Sequence, residues 1–209
     1  MIAVGVDVAE ARKGLDLVAL DSGRQVVVSR GRLTVDQVAA LVLGELRPDV
    51  VCIDSPSGWS RSGPSRRAER ELARMRISAF PTGPDPGDHS FHRWMRVGFS
   101  IFDAVASRYP LFRGDDPWGR AAEVYPNASA VLLAGKAKEK QEAKLQFRRR
   151  VLLTQGVDRA RLPGIDRVDA ALAALTGLIA LEGQWSCVGD PDEGVVLLPS
   201  PAPLDLEAG

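Results

Sequence analysis

A chain of 209 residues, 45% of them hydrophobic, is long enough to bury one substantial core and too apolar to be disordered. Its 27 basic and 27 acidic side chains cancel, which excludes a general nucleic-acid coater whose affinity rests on phosphate neutralisation. No apolar run approaches the roughly 18 residues that cross a bilayer, and no secretory signal opens the chain. Two cysteines, Cys52 and Cys187, are too few for a disulfide framework, so the expectation is a reduced, cytoplasmic protein without a membrane partner.

The opening predicts three strands in succession: Ile2 to Val6, Leu15 to Leu20 and Gln25 to Val28, with Asp21-Ser22-Gly23-Arg24 as turn chemistry between the last two. Thr34 followed by Gln37 forms a capping-box pattern, and Val38, Leu41, Val42 and Leu46 recur at helical spacing until Arg47-Pro48. Val50 to Ile53 reads as a short buried strand ending at Asp54. Pro64 opens a helix to about Met75, Pro81 to Asp88 reads as a loop, and Trp94, Val97, Ile101, Phe102 and Val105 form a helical stripe. Ala121 to Tyr125 predicts a strand closed by Pro126. Helices follow around Lys138 to Leu153 and from Asp166 to about Leu181, then a strand over Gly194 to Leu198. The expected organisation is one domain over 1–198, with a helical and loop insertion around 59–118 and a flexible tail over 199–209.

A meander of three strands followed by a helix and a fourth strand implies a right-handed crossover that sets the fourth strand parallel to an earlier one. If that neighbour is the first strand, Asp7 and Asp54 end adjacent strands at one sheet edge, about 4.8 Å apart. Ligands of open α/β sheets bind at such carboxyl ends. Two carboxylates forced together repel unless a proton or a metal intervenes, and oxygen-only ligands suit Mg²⁺ or Mn²⁺. Turn formation or helix capping is the alternative role for either aspartate.

Five short motifs then occur in order: Gly5-Val6-Asp7-Val8-Ala9, Ile53-Asp54-Ser55-Pro56, Arg66-Arg67-Ala68-Glu69-Arg70-Glu71, Glu123-Val124-Tyr125-Pro126 and Asp166-Arg167-Val168-Asp169-Ala170. The set resembles the bacterial and archaeal family labelled domain of unknown function 429, described as predicted ribonuclease H-like nucleases, over Ile2 to about Gly183. The resemblance implies an α/β ribonuclease H-like fold, a mixed central sheet flanked by helices. It also implies a metal-dependent phosphodiesterase with Asp7, Asp54, Glu123 and Asp169 as the acidic, metal-holding set, and Asp166 as a further candidate ligand. Two departures stand out. Asp7-Val8-Ala9 replaces the Asp-x-Gly turn common at first-strand sites of this fold, and Arg167 stands where relatives often carry another acid.

The charge balance hides two basic segments. Arg61 to Arg76 holds six arginines against Glu69 and Glu71, and Lys136 to Arg150 holds seven basic residues against Glu139 and Glu142. Arg66 and Arg70, four apart on one helix face, and Lys138 are the candidate contacts to a nucleic-acid backbone, DNA or RNA. Pairing with neighbouring glutamates is the competing role for the arginines, and solvation for the basic helix bearing Lys138, Lys144 and Arg148. Asp166 can equally cap the last helix. The leading expectation is therefore a divalent-metal-dependent nuclease. The alternative is a non-enzymatic module that keeps the fold and binds nucleic acid or protein.

Overall fold

The structure is a computed structural model that describes residues 1–10, 12–61, 63–87, 89–158 and 160–200. Seven strands form one sheet in the order β3-β2-β1-β4-β5-β7-β6. β1 (Ile2–Asp7), β2 (Leu15–Asp21) and β3 (Val26–Leu33) make the antiparallel meander, and β4 (Val50–Asp54) returns parallel to β1. β5 (Ala121–Val124) and β7 (Gly194–Pro199) extend the parallel part, and β6 (Trp185–Asp190) closes the edge antiparallel to β7. The sheet is mixed and flanked by helices on both faces.

Residue alternation along the strands divides the core. Ala3, Val50, Cys52, Ala122 and Leu197 face α4 (Pro126–Ala134), α5 (Lys144–Thr154) and α6 (Gly164–Leu181). Val4, Val6, Val51 and Ile53 face α1 (Val35–Ala40), its π-helical continuation Leu41–Leu46, and α3 (Arg93–Val105). α2 (Arg67–Arg74) packs Ala68 and Leu72 against Val196 and Leu198. Thr34 and Gln37 form the expected capping box. Cys52 is buried as an apolar filler, and both cysteines are free.

α6 is the helix that shapes the site. It is rich in alanine and lies directly on β1 and β4. A Cβ at Gly5 would stand 2.0 Å from the Ala170 carbonyl oxygen and 2.4 Å from the Ala174 nitrogen. Only glycine in β1 permits this approach, which carries the first turns of α6 over the end of the strand.

Several elements differ from expectation. β3 runs on to Leu33. α4 was not expected, because Pro126 both closes a strand and occupies the first turn of a helix, where a missing N–H costs nothing. α5 begins at Lys144, so Lys138 lies in the preceding loop. α6 begins at Gly164 behind Pro163, which puts Asp166 in the first turn and leaves it no capping role. β6 was not expected either. Between β4 and β5 the described residues form α2, a short 3₁₀ turn over Ser90–His92, and α3. Of the expected loop, residues 81–87 carry no helix or strand and Asp88 lies outside the described residues. Of the expected tail, Pro199 ends β7 and Ser200 donates its N–H to the Gln184 carbonyl, while 201–209 lie outside the described residues. No helix among the described residues is long and apolar enough to cross a membrane.

Candidate metal centre

β1 and β4 pair in parallel with Asp7 opposite Asp54. Residues opposed in a parallel ladder point to the same face, here the face covered by α6. Asp169, a turn beyond Asp166 on α6, comes down onto that pair. Carboxylate oxygens of Asp7, Asp54 and Asp169 all lie within 4.8 Å of one another. Asp7 and Asp169 are buried and Asp54 is half-buried.

Burial and mutual repulsion dominate the electrostatics. Burial, then the charges of Asp54 and Asp169, push the Asp7 carboxyl up to about 9. Burial and Asp169 push Asp54 up to about 7, against the opposing pull of Arg148 and Lys144. Asp169 is raised too, chiefly by burial, with Arg148 and Lys144 countering. Arg148 on α5 is 4% exposed and forms an ion pair with Asp169, and the exposed Lys144 reaches it at 3.6 Å. Two cations on one helix therefore hold the third carboxylate, although the basic periodicity of that segment reads as a solvated face. The signal that could have found Arg148 is its position one residue from Phe147 and three from Val151, on the buried side of α5.

Glu123 lies outside this cluster. β5 pairs with β4 so that Glu123 opposes Ile53 rather than Asp54. One residue of register puts its side chain on the opposite sheet face. There it accepts from Arg66 in a two-pronged pair, at 2.5 Å from one guanidinium nitrogen and 2.9 Å from another. The Ser57 N–H and hydroxyl complete its shell at 2.9 and 3.0 Å. Arg66 is 2% exposed; it also donates to Glu69 at 2.7 and 2.8 Å, and Glu69 in turn accepts from the Arg66 backbone N–H. The guanidinium expected at a nucleic-acid backbone is thus enclosed within the protein, because α2 packs against β6 and β7.

The remaining candidates sit apart. Asp166 pairs with Lys13 at 2.9 Å, and its charge contributes to the rise at Asp7. Arg167 pairs with Asp16 and donates to the Ser29 hydroxyl at 2.8 Å, tying α6 to β2 and β3. Arg70 is exposed and donates to the Ser65 carbonyl, and Lys138 is exposed and donates to the Glu139 carbonyl.

The family described as "Protein of unknown function (DUF429)" matches residues 5–194. The chain belongs to this DUF429 family. No curated protein matches it. Among solved structures, Thermus thermophilus RuvC in complex with a Holliday junction substrate superposes with a TM-score of 0.50 at 15% identity, covering 91% of this chain and 99% of that one. A second structure of T. thermophilus RuvC gives 0.46 at 16% identity over the same shares. At such identity the likeness speaks for the fold alone, and the fold of this DUF429 chain is ribonuclease H-like.

The donor set defines which ion would fit. Every candidate ligand atom in the cluster is a carboxylate oxygen, with no cysteine or histidine among them. Such sets favour hard cations of the Mg²⁺ and Mn²⁺ kind over Zn²⁺. The side-chain carboxylates of Asp7 and Asp54 form no hydrogen bond or ion pair among the described residues, so their oxygens are available to a ligand.

Proposed function

We propose that this DUF429 protein is a divalent-metal-dependent nuclease that hydrolyses phosphodiester bonds of nucleic acid, with Mg²⁺ or Mn²⁺ as cofactor. One observation carries the reading: Asp7, Asp54 and Asp169 converge at the carboxyl ends of two parallel strands, while the Asp7 and Asp54 carboxylates have no partner among the described residues. A protein that needed these aspartates only for stability would have paired them, because unneutralised buried carboxylates oppose folding. A bound divalent ion would supply Lewis acidity to a phosphoryl oxygen and acidify a coordinated water.

The chain's own residues have separable roles in this reading. Asp7 and Asp54 hold the ion between the strand ends. Asp169 completes the set from α6, and Arg148 fixes its orientation from behind. Lys144, exposed beside Asp169, is the cation best placed to meet a substrate phosphate. Arg70 and Lys138 remain candidate backbone contacts at a greater remove, and Glu123 acts as a brace rather than a ligand.

The test is divalent-dependent cleavage of a panel of single-stranded, duplex and branched DNA and RNA. Activity that persists unchanged in Asp7→Asn sinks the proposal. A second reading, a binding module without catalysis, draws on the Arg148–Asp169 ion pair, which supplies a cation from within. Calorimetric titration with Mn²⁺ separates the two, since a module neutralised internally takes up no metal.

A further inference from the structure

A cleft opens beside Asp54 on the side away from Asp7. Asp54 stands in its wall, followed by Phe80, Thr82, Trp94, Met95 and Tyr125. The cleft is open to solvent at its mouth, and the empty space there and within amounts to ≈ 440 Å³. We propose that it is a subsite for one unstacked nucleobase of the substrate strand, next to the phosphate held at the carboxylates. The inference rests on the nuclease reading and names what that site would recognise.

Three observations point to a base rather than to a phosphate or a sugar. First, the walls are aromatic: Phe80 is 47% exposed at the mouth, and Trp94 and Tyr125 are half-buried beside it. The Tyr125 hydroxyl is already spent, donating to the Ser78 carbonyl at 2.8 Å, so this residue offers its ring. Stacking on such rings tolerates any base, since every base has a π-face.

Second, among the described residues the cleft holds no free cation for a phosphate. Arg66 lines the cleft, but its guanidinium is consumed by Glu69, Glu123 and the Glu193 carbonyl. One positive charge faces two negative ones there, which repels an anion and accepts a neutral ring. Third, Thr82 lines the cleft at 0% exposure, and its Oγ1 has no hydrogen-bond partner among the described residues. A buried hydroxyl without a partner is costly and rare. It can donate to a ring nitrogen or carbonyl, or accept from an exocyclic amine, and so serves the edge of any inserted base.

The experiment is an abasic walk. A labelled single-stranded oligodeoxynucleotide of about five nucleotides, short enough to hold one register on the protein, carries one base-free residue moved position by position, and binding is read by fluorescence anisotropy with Ca²⁺ as the divalent ion. Removing the base at one position is expected to weaken binding about tenfold, and removal elsewhere to change it about twofold or less. Phe80→Ala, which truncates an exposed ring, is expected to flatten the walk. Thr82→Val, which keeps the shape, is expected to weaken the intact strand severalfold without further loss at the sensitive abasic position. A flat walk in the wild type overturns the subsite, as does an unchanged walk in Phe80→Ala. Mn²⁺ calorimetry on the same protein reports separately on the carboxylates. A flat walk with metal bound removes only the base subsite, whereas absence of metal uptake removes the nuclease reading with it.

Discussion

Two buried acidic groupings lie on opposite faces of the same sheet edge, and they are built on opposite principles. Around Arg66, two glutamates, a serine and backbone groups leave no acceptor of Glu123 unserved. Around Asp7, three carboxylates crowd together, and the two at the strand ends lack partners among the described residues. The first grouping is closed and braces the turn after β4 through Ser57. The second is open, and burial pushes its protons on rather than off. Burial of an acid therefore says little about function by itself; what it is buried with decides.

The comparison breaks most visibly at Arg66. Arg66→Ala would strand Glu69 and Glu123 in the interior, and loss of one partner of a buried pair costs about 3–5 kcal/mol. Urea unfolding should show that loss as a lower midpoint with an unchanged slope. A change within 0.5 kcal/mol would mean that the network is as solvated as a surface pair and that the contrast is false.

Much of the open grouping was legible in the sequence, and most of the closed one was not. Asp7 and Asp54 each follow a short apolar run, and right-handed crossover places such runs side by side. Asp169 came through its motif, and its orientation depended on how closely α6 could approach β1, which Gly5 settles in three dimensions. Glu123 stands in one of the five motifs of the resemblance, yet the β4–β5 register turns it to the other face, and register is a property of pairing that no single strand displays. Arg66 and Arg148 looked like surface cations because a guanidinium's burial is fixed by what packs over it. Helix α4 and strand β6 were missed for local reasons: Pro126 signals a strand end and a helix start alike, and Trp185–Asp190 lacks alternation.

The open grouping should respond to pH in a direction opposite to that of salt-bridged carboxylates, whose folded-state values are lowered. The folded-state value of Asp7, about 9, lies above its ordinary 3.8. Between these values the native protein holds a proton that the unfolded chain releases, so this group's contribution to stability falls as pH rises. In EDTA, Asp7→Asn should gain on the wild type from pH 5 to 9, by at least about 1 kcal/mol, an upward Tm shift of about 2–4 °C. Metal must displace the same proton, so Mn²⁺ binding to the wild type should tighten with pH across that window. Thermal unfolding at a series of pH values, with and without Mn²⁺, reads both effects. A wild type whose metal-free stability rises in parallel with the variant's would show that Asp7 is ionised and paired.

The smallest expected effect is the sharpest discriminator between the groupings. Glu123→Gln keeps the shape of the side chain and one carbonyl acceptor, but it turns the charge-assisted pair with Arg66 into a neutral one. Stability should fall by about 1–3 kcal/mol, the range for a weakened buried hydrogen bond to a charged partner. The Kd for Mn²⁺, by contrast, should stay within about twofold of wild type, because the register aims this residue at α2 and away from α6. A loss of about 10–100-fold, the scale expected when even an outer hydrogen-bond partner of a metal ligand is removed, would place Glu123 in the metal's surroundings. The two faces of the sheet would then be coupled through Asp54 and Ser57, and the brace would be part of the site it was thought only to support.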